Sequence, residues 1–240
     1  MNNIKKLSSK RNAVWLVENG DNLEVVKKFE EEEFFSRELK IYHLLEKEKK
    51  IDKFNYPQVI GYNDKEMSIK LQYIQGETFL NRLERYEQNN NIESGKKLMI
   101  LLFQWIEFFQ HSLTKIDYLD QLSSVGIYLD SLDVINNQRT VSLVDINFKN
   151  FILKGDKLYG LDFENVSVGE KLTDYTKSLA YMLTYNPIAT EYKKRIFIDL
   201  LTILNVEYSF SNDLIYKSYN EQLSKIEKRR KLFLEELYII

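Results

Sequence analysis

Hydrophobic and polar positions alternate along the first third of the chain and recur at helical spacing through most of the remainder. Ala13-Val-Trp-Leu-Val-Glu18 and Leu23-Glu-Val-Val-Lys-Lys-Phe29 flank Asn19-Gly20-Asp21-Asn22, and this predicts a β-hairpin because Asn-Gly supplies the positive φ of a tight turn. Period-two alternation sets Leu23, Val25, Lys27 and Phe29 on one strand face. Residues 54–62 and 66–74 read as two further strands around Asn63-Asp64-Lys65. Between the hairpin and these strands, Phe34 to Glu46 has helical periodicity, with Glu38 on the stripe made by Phe34, Ile41, Tyr42 and Leu45.

Further along, Leu98, Leu101, Leu102, Trp105, Phe108 and Phe109 predict a long core helix over 93–113. Asp174 reads as the N-cap of a helix running to Leu183, Asn186-Pro187 closes it, Thr190 starts another through Leu204, and residues 212–238 finish the chain helically. One β interruption breaks this helical part. Phe151-Ile152-Leu153 and Leu158-Tyr159-Gly160-Leu161 flank Lys154-Gly155-Asp156-Lys157, a second hairpin. Residues 114–140 carry no comparable pattern and read as an inserted helix or a lid over substrate.

Composition narrows the function classes. With 240 residues, 44% hydrophobic and 29% charged, the chain is globular and long enough for one large domain or two packed lobes. A formal charge of −2, with acids and bases intermixed, provides no footprint for nucleic acid or anionic lipid. The absence of cysteine excludes disulfides and thiolate chemistry, and two histidines, His43 and His111, leave little basis for a histidine-centred hydrolase. The longest apolar run, Leu98 to Phe103, falls far short of the roughly 20 residues of a membrane helix, and the amino terminus lacks a signal-peptide core, so a cytoplasmic protein is expected.

Two features of the pattern carry chemistry. Lys27 is a charge on an apolar strand face, which requires a partner, and Glu38 is the acid on the apolar stripe of the next helix. Both are otherwise explained as charges reaching solvent from an edge. The second hairpin brings Asn150, which enters it, beside Asp162, which leaves it, and an amide oxygen next to a carboxylate suits a hard cation such as Mg²⁺. Asp145, five residues earlier, stands where its carboxylate reaches a substrate hydroxyl; the alternative is a surface hairpin with acidic flanks.

Asp145-Ile-Asn-Phe-Lys-Asn150, a hairpin and Asp162-Phe163 together resemble the catalytic and metal-binding loops of the protein-kinase-like superfamily. Leu161-Asp-Phe-Glu164 is similar to the aminoglycoside phosphotransferase and choline kinase branch, as is the hinge-like Gln72-Tyr-Ile-Gln-Gly-Glu-Thr78. The resemblance implies an α+β bilobal fold, with a small antiparallel-sheet lobe over 1–75 and a larger, mainly helical lobe over 76–240. It implies ATP or GTP and Mg²⁺ as cofactors and a small-molecule hydroxyl acceptor. In those terms Lys27, held by Glu38, grips phosphates, Gln72, Tyr73 and Ile74 meet the purine edge, Asn150 and Asp162 hold Mg²⁺, and Asp145 deprotonates the acceptor. The resemblance also implies that Asp174 braces the catalytic loop through backbone hydrogen bonds, a role compatible with capping.

The chain departs from the family pattern in two places. The segment Leu7 to Val14, where the phosphate loop belongs, has no glycine, so Ser8 and Ser9, with Lys10 and Asn12, stand in as donors. Leu143 also occupies the place two before Asp145 where the family usually has histidine. Both departures keep open a catalytically inactive, nucleotide-binding or scaffolding relative. A protein kinase is the lesser alternative, because only eleven residues separate Asp162 from Asp174 and no Ala-Pro-Glu-like stop follows.

Overall fold

The alternating amino-terminal third folds into an antiparallel sheet with one helix against it. The computed structural model describes residues 2–7, 11–20, 22–48, 52–136, 139–231, 234 and 237–239, so the candidate donors Ser8 and Ser9, and Lys10, lie outside the described residues. In chain order β1 (Asn2–Leu7), β2 (Ala13–Asn19) and β3 (Asn22–Lys28) lead to α1 (Glu32–Glu46), then β4 (Phe54–Asn55), β5 (Val59–Asn63) and β6 (Ser68–Gln72). The five-stranded sheet runs β1-β2-β3-β6-β5. Gly20, at φ 63°, makes the β2–β3 reversal, and the register sets Val25 against Leu71 and Lys27 against Ile69 on the face toward α1. There Ile41, Tyr42, Leu44 and Leu45 of α1 are fully buried.

One strand expectation divides. Residues 54–62 do not form a single strand: Phe54–Asn55 pairs in parallel with a later strand of a second sheet, while Val59–Asn63 joins β6. Pro57 lies between them, and its missing N–H cannot serve a ladder.

The larger part is built on helices. β7 (Glu77–Thr78) leads into α2 (Phe79–Gln88) and α3 (Ile92–Leu113), and the patternless stretch that follows holds a 3₁₀ turn at Ile116–Tyr118, α4 (Leu119–Ser123) and α5 (Ser131–Asn136). Asp130 caps α5 by accepting from the Asp133 N–H at 2.7 Å. β8 (Arg139–Ser142), the hairpin β9 (Phe151–Lys154) and β10 (Lys157–Gly160), β11 (Ser167–Glu170), α6 (Lys171–Thr184), α7 (Glu191–Val206) and α8 (Asn212–Arg230) complete the chain. α8 ends before residue 238 because Lys231 turns left-handed at φ 55°, and Leu234 and Leu237 pack back into the core. No helix among the described residues is long and apolar enough to cross a membrane.

β8 and β11 pair antiparallel, Ser142 opposite Ser167, so that residues 143–166 form one excursion closed at its base. That excursion carries the β9–β10 hairpin, which sits in a four-stranded sheet ordered β4-β10-β9-β7. The sheet seats on α3 through Trp105, which is fully buried, stacked on Phe109 and Phe163, and donates from its indole N–H to the Asn55 carbonyl at 3.1 Å.

Gly160 makes this seat possible, since a Cβ there would stand 2.2 Å from the Trp105 ring. Gly160→Ala should therefore destabilise the protein by about 1–3 kcal/mol, read from urea unfolding, through overpacking against an immovable indole. An unchanged midpoint would show that α3 and the hairpin are free to separate.

Candidate active site

The side chains singled out on the two apolar faces meet. The Lys27 ammonium, on β3, lies 2.6 Å from Glu38 of α1, 2.5 Å from Asp162 and 2.8 Å from Glu164. Glu38 is fully buried and Lys27 and Glu164 nearly so, while Asp162 is half-buried. Burial by itself would lower the lysine pKa, but attraction to Glu38, Asp162 and Glu164 outweighs it and holds the ammonium well above its ordinary value. Glu38 moves up to about 7, chiefly because burial disfavours its charge, with Lys27 opposing and Asp162 and Glu164 adding.

Glu164 and Asn12 are the members that sequence reasoning missed or misread. Asp162 and Glu164 lie on irregular chain that turns left-handed at Asp162, so no local period signals that both carboxylates face the same ammonium. Asn12, expected to serve phosphates, is buried and donates instead to the Glu164 carboxylate. Arg37 of α1 ties the same segment down by donating to the Glu164 carbonyl at 3.2 Å and to the Val125 carbonyl at 3.2 Å.

Asp145 stands at the mouth of the 143–166 excursion on an unusual backbone. Its N–H bonds to the Leu143 carbonyl at 2.7 Å across Val144, which sits at φ 62°, a conformation that a β-branched residue holds only when its surroundings impose it. The imposing groups are on α6. Lys177 donates to the Val144 carbonyl, and Asp174 accepts from the Leu143 N–H at 3.0 Å, the Ser142 hydroxyl at 2.7 Å and Gln110 at 3.0 Å. Asp174 is thus a brace in the first turn of α6 and not its N-cap, which is Glu170. Leu143, at the unusual position, is a buried core side chain.

Asp174→Ala would strand three donors, one on α3 and two at the end of β8, and we expect a loss of about 3 kcal/mol in urea unfolding. Wild-type stability in that variant would leave the Val144 turn without the support ascribed to it.

The β9–β10 hairpin falls one residue short of the expected alignment. Pairing ends with Phe151 opposite Gly160, and the Leu161 N–H donates to the Asn150 carbonyl at 2.8 Å, so Leu161 stands opposite Asn150 and Asp162 lies one beyond. Asp162 then turns at φ 66°, which a short carboxylate side chain tolerates better than most. Of the hinge residues, Gln72 ends β6 exposed, Tyr73 is half-buried and Ile74 is buried. Gly76 after them is required for close approach, because its Cβ would lie 2.3 Å from the Leu153 carbonyl oxygen.

The donor set fits a hard divalent cation. One oxygen from each of Glu38, Asp162 and Glu164 lies within 4.8 Å of the others, and one ammonium cannot neutralise three carboxylates. Among the described residues, two buried polar atoms, Glu38 Oε1 and the side-chain nitrogen of Asn150, have no hydrogen-bond partner, and an amide turned the other way would present its oxygen.

No protein-family model matches the sequence, and no curated protein matches it. Solved structures do. The GDP complex of a mutant aminoglycoside 2′-phosphotransferase-IIIa superposes with a TM-score of 0.60 at 13% identity, over 93% of this chain and 82% of that one. The streptomycin–ATP complex of APH(2″)-IIa gives 0.52 at 16% identity, over 93% and 91%. A thermostable mutant of APH(4)-Ia with AMP-PNP and hygromycin B gives 0.51 at 12% identity, over 91% and 82%. The fold expected from the sequence is therefore present: a bilobal, kinase-like α+β fold that these aminoglycoside phosphotransferase structures share.

Proposed function

We propose that the protein is a Mg²⁺-dependent phosphotransferase that moves the γ-phosphate of ATP or GTP to a hydroxyl of a small molecule. The observation that carries this reading is the Lys27 ammonium, joined to Glu38 from its own sheet and helix and to Asp162 from the hairpin excursion. Residues 1–75 act as the lobe that grips the nucleotide, with Gln72, Tyr73 and Ile74 at its purine edge, and 76–240 as the lobe that carries the acceptor. The similar proteins named above were solved with GDP, with ATP and with AMP-PNP, which supports a purine nucleotide as donor.

In this mechanism Lys27 binds nucleotide phosphate oxygens, and Glu38 keeps it oriented while it does so. Asp162 and Asn150, assisted by Glu164, hold Mg²⁺, which when bound neutralises charge on the phosphates. Asp145 takes the proton from the acceptor hydroxyl as that oxygen forms its bond to the γ-phosphorus; the bond from the γ-phosphorus to the bridging oxygen breaks, and its electron pair leaves with the nucleoside diphosphate.

The test is thermal stabilisation by nucleotide with Mg²⁺, followed by transfer of labelled γ-phosphate to a panel of small hydroxyl compounds. Stabilisation with transfer is the expected result. The glycine-free segment before β2 and Leu143 favour a second reading, an inactive nucleotide-binding relative, and stabilisation without transfer to any acceptor would select it. Absence of stabilisation would remove both.

A further inference from the structure

We infer that the acceptor is an anion, a small hydroxyl compound that also carries a carboxylate or phosphate, and that Lys177, Arg229 and Arg230 receive the charged group. The inference rests on the proposed phosphotransferase role for the identity of the site, and on the charges around Asp145 for its chemistry.

α6 and α8 pack together, which brings the basic end of α8 to the catalytic loop. Lys177 bonds to the carbonyl of the residue before Asp145. Arg229 donates to the Tyr181 hydroxyl, and Arg230 donates to the Thr184 carbonyl at 2.7 Å. Both guanidinium groups lie over the Tyr181 ring at 5.4 Å, and Arg230 also lies over Tyr185 at 5.1 Å. Tyr185 in turn donates to Asn147 at 2.8 Å and accepts from the Phe148 N–H at 3.3 Å, inside the Asp145-to-Asn150 loop.

Asp145 is close enough to these groups to act on them. Burial pushes up the hydroxyl pKa of Tyr181 and Tyr185, and the Asp145 charge adds to both; burial pulls Lys177 down, with Asp174 and Asp145 opposing and Arg229 and Lys225 adding. Lys177 thus stands at the Asp145 turn, and Arg229 and Arg230 stand on Tyr181 and Tyr185, of which Tyr185 bonds the same loop.

A stacked guanidinium has a planar fork of N–H donors, and the bonds above engage one terminal nitrogen of each. Such a fork matches a carboxylate or a phosphate. An aminoglycoside, with several ammonium groups, would meet like charges at the point where its hydroxyl has to approach Asp145.

The test uses the full chain with Mg²⁺ and AMP-PNP and measures binding of three matched sets: hydroxy acids and sugar phosphates, neutral sugars, and aminoglycosides such as gentamicin. Acetate and inorganic phosphate serve as fragment probes that tell a carboxylate preference from a phosphate one. The expected result is that anionic compounds bind and that Arg229→Gln weakens them about tenfold or more, whereas Arg229→Lys, which keeps the charge, retains most of the affinity. Preference for aminoglycosides, a flat response to all three sets, or unchanged anion affinity in a folded Arg229→Gln would overturn the inference. Anion binding without any response to nucleotide would leave an anion site but overturn the phosphotransferase role, while nucleotide binding with an aminoglycoside preference would keep that role and overturn the inference.

Discussion

Asp145→Ala should lower turnover about 10²- to 10⁴-fold while leaving stabilisation by nucleotide and Mg²⁺ in place. The variant removes the proposed proton acceptor, which hangs from the Val144 turn that α6 holds. Asp145→Asn separates charge from shape. It keeps the side chain's size, so a defect as deep as that of alanine assigns the loss to the carboxylate. Steady-state assays of kcat alongside nucleotide affinity make the distinction, and full turnover in either variant would take Asp145 out of the mechanism.

Lys27→Met should cost about 3–5 kcal/mol of folding stability, because it leaves buried carboxylates without their common partner. The pH dependence gives the signature. Glu38 has a folded-state pKa of about 7, raised above its ordinary value, so its contribution to stability is fully present in acid and is lost as pH rises toward 7. Removing Lys27 removes the one group that opposes this rise, so the variant should lose stability more steeply and to higher pH than the parent. Adding Glu38→Gln should return part of the loss, and a double-mutant cycle in urea unfolding measures the coupling. Independent, additive effects would mean that the ion pair is not the support described here.

Much of the candidate site was legible because it consists of violations of pattern. Lys27 and Glu38 each break an apolar stripe, and a charge placed where carbon belongs must find a partner, which each found in the other. The β9–β10 hairpin was legible from its turn chemistry, and α3 from its stripe of large side chains. Glu164 and Asn12 were not. Each lies in irregular chain where no period marks which way a side chain faces, and their meeting spans 152 positions of sequence.

Pairing partners were equally hidden. Phe54–Asn55 has strand-forming composition, but only the packing of Trp105 onto the second sheet decides that it joins β10 and not β6. The alignment of Asn150 with Leu161 follows from the tight turn, which pairs Lys154 with Lys157 and so sets the register of the whole ladder. Asp174 shows a third case: its local pattern reads only as a cap, and the brace on the catalytic loop was expected from the resemblance alone, because the three donors that claim it lie far away in the chain.

Because Lys27 already grips acids from both sides of the cleft, the resting protein keeps its own doorway closed. Under the proposed function, an incoming triphosphate has to trade places with Asp162 and Glu164 before the ammonium can turn to it. Nucleotide capture should then level off at a ceiling set by how often that ammonium lets go, however much nucleotide is supplied, and stopped-flow mixing over a range of concentrations would reveal the plateau.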